Sequence, residues 1–148
     1  LTPSLQTQEV VATILHFEGK GRADTARPAG IETFLRMIYK ICPASAWREA
    51  ERQGVFRGSA VDLCDGFIHF STAAQVEETA RKHFFGQAGL FLIAVDADRL
   101  GEALRWERSR NDELFPHLYG ELDLGAVVSV LSMRTRSDGS HDMPELEP

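Results

Sequence analysis

The stretch DGFIHFSTAAQVEETARKHFFG, residues 65–86, decides the fold, because its apolar period changes from two to three-and-four partway along. From Gly66 to Phe70 alternate side chains share a face, so Ile68 and Phe70 turn to a core while His69 and Ser71 project together from the other side. Beyond Thr72, the residues Ala73, Val76, Ala80 and Phe84 fall on one stripe of a helix, and Gly86 stands just past its end. Thr72-Ala73-Ala74-Gln75 fits a capping box at the junction, with both side chains satisfying backbone donors of the first turn.

Working outward, Ile38 to Cys42 is a β-branched and aromatic run that reads as a first strand. Pro43 then opens a helix on which Trp47 and Ala50 share a face, and Gly54 closes it. Leu90 to Val95 is a continuous apolar run, expected of a central strand covered on both faces. Ala103 to Glu107 and Ala126 to Met133 complete the strands. Without strict alternation of strand and helix, the expected class is α+β: a single compact domain with a mixed, mostly antiparallel sheet of about five strands and two main helices.

The length of 148 residues bounds one domain, and 43% hydrophobic with 26% charged residues excludes a disordered chain or a disulfide scaffold. Residues 1–36 include GKGRADTARPAG, which has no hydrophobic period, and read as a poorly ordered extension or linker. The folded domain is expected over residues 37–136. Residues 137–148, with four acids and no base, read as a disordered acidic tail. A net charge of −6 argues against nucleic acid as a partner. The longest apolar run is too short to span a membrane, and no basic region precedes the first apolar patch, so a cytoplasmic protein is expected. Cys42 and Cys64 match no zinc spacing and read as free, small, buried hydrophobes.

Three segments carry candidate chemistry. His69 and Ser71 sit at the mouth of the helix, whose free N–H groups and dipole attract phosphate or carboxylate; Thr72 either joins that site or only caps the helix. In LFPHLYGEL, residues 114–122, an extended chain presents His117, Tyr119 and Glu121 on one face, offering a base, a stacking ring and a carboxylate. Trp106 and Glu107 follow Arg105, with Glu107 a pocket carboxylate. The bland alternatives are a sheet histidine with satisfied hydrogen bonds and an edge strand with its polar side in water. His16, His83 and His141 read as structural or idle, and no phosphate loop, nucleophile elbow or zincin motif is present.

MIYKI at 37–41, DGFIHFSTAAQ at 65–75, RWE at 105–107 and LFPHLYGEL at 114–122 resemble the domain of unknown function 952 family of small bacterial proteins, over about 100 residues from Met37. The resemblance implies a compact α+β domain distantly related to the ADP-ribosyltransferase-like fold, which includes RNA 2′-phosphotransferases. It further implies NAD, as substrate, and ADP-ribosyl or phosphate transfer, with His69, His117, Glu107 and Glu121 as the catalytic set. One of the two carboxylates would steady charge at the ribose. Lys40, Ser71, Thr72, Trp106 and Tyr119 would bind the nucleotide; the family carries His where this chain has Lys40, and Lys still holds a phosphate as a point charge. The alternative is a non-catalytic module for a small anionic ligand or a protein. Catalysis requires His69, His117, Tyr119 and one Glu to converge on a shared concavity.

Overall fold

The computed structural model describes residues 36–148, so the extension expected before Met37 lies outside the described residues except for Arg36. In chain order the elements are β1 (Met37–Pro43), α1 (Ala44–Gln53), β2 (Val55–Phe56), α2 (Ala60–Asp65), β3 (Ile68–His69), β4 (Ser71–Thr72), α3 (Ala73–His83), β5 (Leu90–Asp96), β6 (Leu104–Arg108), β7 (Leu114–Leu118), β8 (Leu122–Asp123) and β9 (Val127–Met133). Every strand pairing is antiparallel. The main sheet runs β4-β1-β5-β9, a second runs β3-β7-β6, and β2 pairs with β8. The class is α+β, with the strands divided among three sheets where one had been expected.

The central place of β5 follows from its composition. All its residues are buried, and a strand apolar on both faces needs a layer on each side. On one face Met37, Tyr39, Ile41, Leu90 and Leu92 pack against Val76 and Ala80 of α3. On the other, Ile38, Ile93, Val95 and Val127 meet Trp47 and Ala50 of α1 together with Ile68 and Leu118 of the second sheet. Gly54, at φ 83°, closes α1 as its position predicted. α3 instead ends at His83 and is capped by Phe84, whose N–H donates to the Ala80 carbonyl at 3.0 Å.

The segment read as one strand from Gly66 to Phe70 is divided. Phe70 lies between β3 in the second sheet and β4 in the main sheet, its N–H donating to the Pro116 carbonyl at 3.0 Å. Periodicity survives the break, because Ile68 and Phe70 are buried in the core as alternation required.

Residues 137–148 differ from the disordered tail that composition suggested. Thr135 bridges to His141, whose Nε2 lies 2.7 Å from the Gln87 carbonyl, and Met143 and Leu146 pack against the core cluster that α3 shares with the main sheet. Counting acids overlooked these two apolar side chains, which give the segment something to bury. The Tyr39 hydroxyl donates to the Glu147 carbonyl at 2.7 Å and accepts from its N–H at 3.2 Å. Tyr39→Phe is expected to lower stability by about 1 kcal/mol and to speed amide exchange at Glu147 selectively, read by denaturant titration and hydrogen exchange. No helix among the described residues is long and apolar enough to cross a membrane.

Candidate functional site

Where the chain passes from one sheet to the other at Phe70, a cavity of about 520 Å³ opens between α2, α3, β1, β4 and β7. Lys40, His69, Ser71, Thr79, Arg110 and His117 are among the residues that line it. The β3–β7 register sets His69 directly opposite His117, which no pattern within either segment encodes. Their ring centroids lie 5.6 Å apart, edge to face.

Lys40 and Asp62 form the buried foundation. Lys40 is 4% exposed and Asp62 1%, and the Lys40 Nζ lies 2.8 Å from Asp62 Oδ1 and 2.7 Å from Oδ2. Asp62 also accepts from the Ser59 N–H at 2.9 Å and the Ser59 hydroxyl at 3.1 Å. His69 adds its backbone N–H at 3.1 Å and its ring Nδ1 at 2.7 Å. Burial alone would raise the Asp62 pKa, but the hydrogen bond from His69 and the charge and hydrogen bond of Lys40 outweigh it and hold the carboxyl well below the usual range. Gly58 makes this approach feasible: at φ +118° a Cβ there would lie 2.8 Å from Asp62 Cβ.

Both His69 ring nitrogens face carboxylates, Nδ1 toward Asp62 and Nε2 toward Asp65 Oδ2 at 2.9 Å. Ionised carboxylates only accept, so a proton on either ring nitrogen is directed at a carboxylate oxygen. His117 is bound on one side, its Nδ1 2.8 Å from Glu107 Oε1, leaving Nε2 for other work. The Tyr119 hydroxyl donates to the same Glu107 oxygen at 2.8 Å. These two bonds, that of His117 first, hold the Glu107 carboxyl below its ordinary pKa, and the donation to Glu107 raises that of the Tyr119 phenol. Phe67 stacks on His117 at 4.1 Å and contacts the His69 and Tyr119 rings, shielding the cluster from one side.

Opposite the histidines, Arg110 Nη2 donates to Thr79 Oγ1 at 3.1 Å, and Thr79 Oγ1 lies 2.9 Å from Ser71 Oγ. The guanidinium lies over the Phe115 ring at 4.9 Å and forms no ion pair among the described residues. His83, also on the cavity, has its pKa lowered by burial first and then by the charges of Arg110, His69 and Lys82. This corner offers a cation, two hydroxyls and a neutral imidazole to an anion.

Of the positions expected from sequence, Lys40, His69, Ser71 and His117 line the cavity, while Glu107 and Tyr119 support it through His117 and Phe67. Three lie elsewhere. Glu121 pairs with Arg57 at 2.9 Å on the surface, because Gly120 turns the chain after β7 ends at Leu118. Trp106 alternates away from Glu107 and packs against the core, with the Arg36 guanidinium over its ring at 4.5 Å. Thr72 serves the capping box, its N–H donating to Gln75 Oε1 at 3.0 Å. His83, read from the sequence as structural or idle, belongs to the cavity together with Arg110, as does His69's buried partner Asp62 through its bonds. The Ser59-Ala60-Val61-Asp62 capping pattern was the legible trace of Asp62. Cys42 is buried as expected, and burial pushes its thiol up to about 12; Cys64 is exposed. Among the described residues no group of three or more His, Cys, Asp or Glu is placed to hold a metal ion.

A search of curated proteins finds no match. Among solved structures, a crystal structure of protein CC0527 from Caulobacter crescentus is 49% identical, covering 72% of this chain and 93% of that one, with a TM-score of 0.70. A solution NMR structure of the same Caulobacter crescentus protein is 50% identical over 70% of this chain and 90% of that one, with a TM-score of 0.64. The family model described as protein of unknown function (DUF952) matches residues 41–130, across most of the strands and helices that build the cavity, and the chain belongs to that family.

Proposed function

We propose that the cavity binds a small phosphate-bearing ligand of nucleotide size, NAD being the member of that class suggested by the family resemblance. The observation that carries this reading is the convergence of Arg110, Thr79 and Ser71 with His69 and His117 on one cavity of about 520 Å³. Arg110 and the two hydroxyls take the anionic group, and the volume falls in the range of small-molecule sites. Ribosyl transfer from NAD additionally needs a carboxylate against the sugar. With Glu121 outside and Glu107 held by His117 and Tyr119, Asp65 is the acid among the lining residues.

The test is an NMR titration of the full chain with adenosine monophosphate, ADP-ribose, NAD and inorganic phosphate in separate arms. Shifts are expected at Ser71, Thr79 and Arg110, and Arg110→Ala should weaken binding by about 10- to 100-fold, the worth of a charge-assisted hydrogen bond. A bound anion favours the charged imidazole, so the titration midpoint of His83 should rise on binding. Nicotinamide release in the NAD arm would identify the ribosyl-transfer chemistry. Absence of shifts at these residues in all four arms overturns the reading.

A further inference from the structure

We propose that this cavity is a two-histidine acid–base site in which water opens the cyclic phosphodiester of a single nucleotide, His117 taking a proton and His69 giving one. The inference rests on the phosphate-ligand reading above and adds a reaction to it.

Two imidazoles in different settings face one cavity. His117 is oriented through Nδ1 by Glu107, so its Nε2 is the nitrogen available as a base. His69 is held through Nδ1 by the buried Asp62, and its Nε2 is already directed at an anionic oxygen, that of Asp65 at 2.9 Å, the geometry from which it can donate. The Asp65 side chain is partly exposed and belongs to the cavity wall, so an incoming phosphoryl oxygen replaces it as acceptor. With centroids 5.6 Å apart, both rings reach one phosphoryl group, while Arg110 with Thr79 takes its non-bridging oxygens.

That pairing suits a diester. Hydrolysis of a diester needs a proton removed from water and another supplied to a poorly departing sugar oxygen, whereas a monoester depends chiefly on positioning and charge. A protein of net charge −6 is unsuited to a polyanion, and a cavity of this volume takes a small molecule, of which a single nucleotide is the simplest substrate. Within one nucleotide, a phosphodiester is cyclic. In the step, the water oxygen forms a bond to phosphorus as its proton passes to His117 Nε2. The bond from phosphorus to one ribose oxygen breaks, its electron pair stays on that oxygen, and His69 Nε2 supplies the proton. The product is a nucleoside monophosphate, and proton exchange with solvent resets both rings.

The full chain is incubated with adenosine 2′,3′-cyclic phosphate and adenosine 3′,5′-cyclic phosphate, in chelator-containing buffer, and followed by phosphorus NMR. A monoester resonance should appear from one of the two. His117→Gln and His69→Gln should each slow it by about 10²- to 10⁴-fold, the usual contribution of one acid or base. Adenosine monophosphate should still shift the Arg110 amide in both variants, which separates lost chemistry from lost folding. The rate should follow a bell-shaped pH profile that loses one limb in each variant. No monoester from either compound, with adenosine monophosphate still shifting Arg110, overturns the inference and leaves the ligand reading standing. Turnover undiminished in His117→Gln, or abolished by the chelator, also overturns it, and absence of nucleotide-induced shifts removes both readings.

Discussion

Asp62→Asn is expected to destabilise the protein by about 3–5 kcal/mol, because it leaves Lys40 buried without a counter-charge. The variant is nearly isosteric, so the loss reports charge and hydrogen bonding, with little contribution from packing. Its amide also offers a single acceptor oxygen where the carboxylate now serves Lys40, Ser59 and His69 together. Adding Lys40→Met to Asp62→Asn should recover most of the loss, since replacing a buried pair by apolar groups is often neutral. Denaturant unfolding followed by circular dichroism measures both, and a loss below about 1 kcal/mol in the single variant would show that Lys40 finds water or another partner. The pH dependence has a definite sign. The folded-state pKa of Asp62 lies below its unfolded value, so its contribution is fully present above about pH 4 and is lost as pH falls through the folded pKa. Stability of the parent protein should therefore fall on acidification below about pH 4, and more steeply than that of Asp62→Asn.

Trp47→Ala should cost a comparable 3–5 kcal/mol by a different mechanism. Trp47 is fully buried, its ring 5.5 Å from that of Phe56, and it joins α1 to the core face of the main sheet. Truncation removes the largest buried side chain and leaves a cavity that rigid strands on the other side cannot collapse to fill. A fall in the denaturant midpoint with unchanged slope is the expected result, and Trp47→Phe should lose less than half as much. Because α1 does not line the cavity, ligand-induced shifts at Arg110 should persist in any fraction that remains folded. An Ala variant within about 1 kcal/mol of the parent would mean that α1 repacks.

Much of the architecture was legible because it depends on local period. The β5 run Leu90–Val95 is apolar throughout, and a strand with no polar side must be central. The stripe on α3 and the glycine after α1 likewise follow from neighbours a few residues apart. Beyond its capping pattern, helix α2 was not legible, since Val61 and Leu63 are exposed and its place depends on Asp62 reaching inward to Lys40. The tail from residue 137 was misjudged for a similar reason: Met143 and Leu146 matter only once α3 and β1 offer a surface to them.

For the site, the chain alone determined which residues are chemically able: His69 and Ser71 on one side of an alternating segment, His117 and Glu107 in others. Only tertiary structure decided which of them meet. The β3–β7 register brings His69 to His117, the turn at Gly120 carries Glu121 away to Arg57, and the packing of α3 against the β6–β7 connection adds Arg110. Periodicity is set by bonded neighbours and can be read along a chain. Register and the choice of partner are set by which distant surfaces bury together, a competition among long-range contacts that no single segment records.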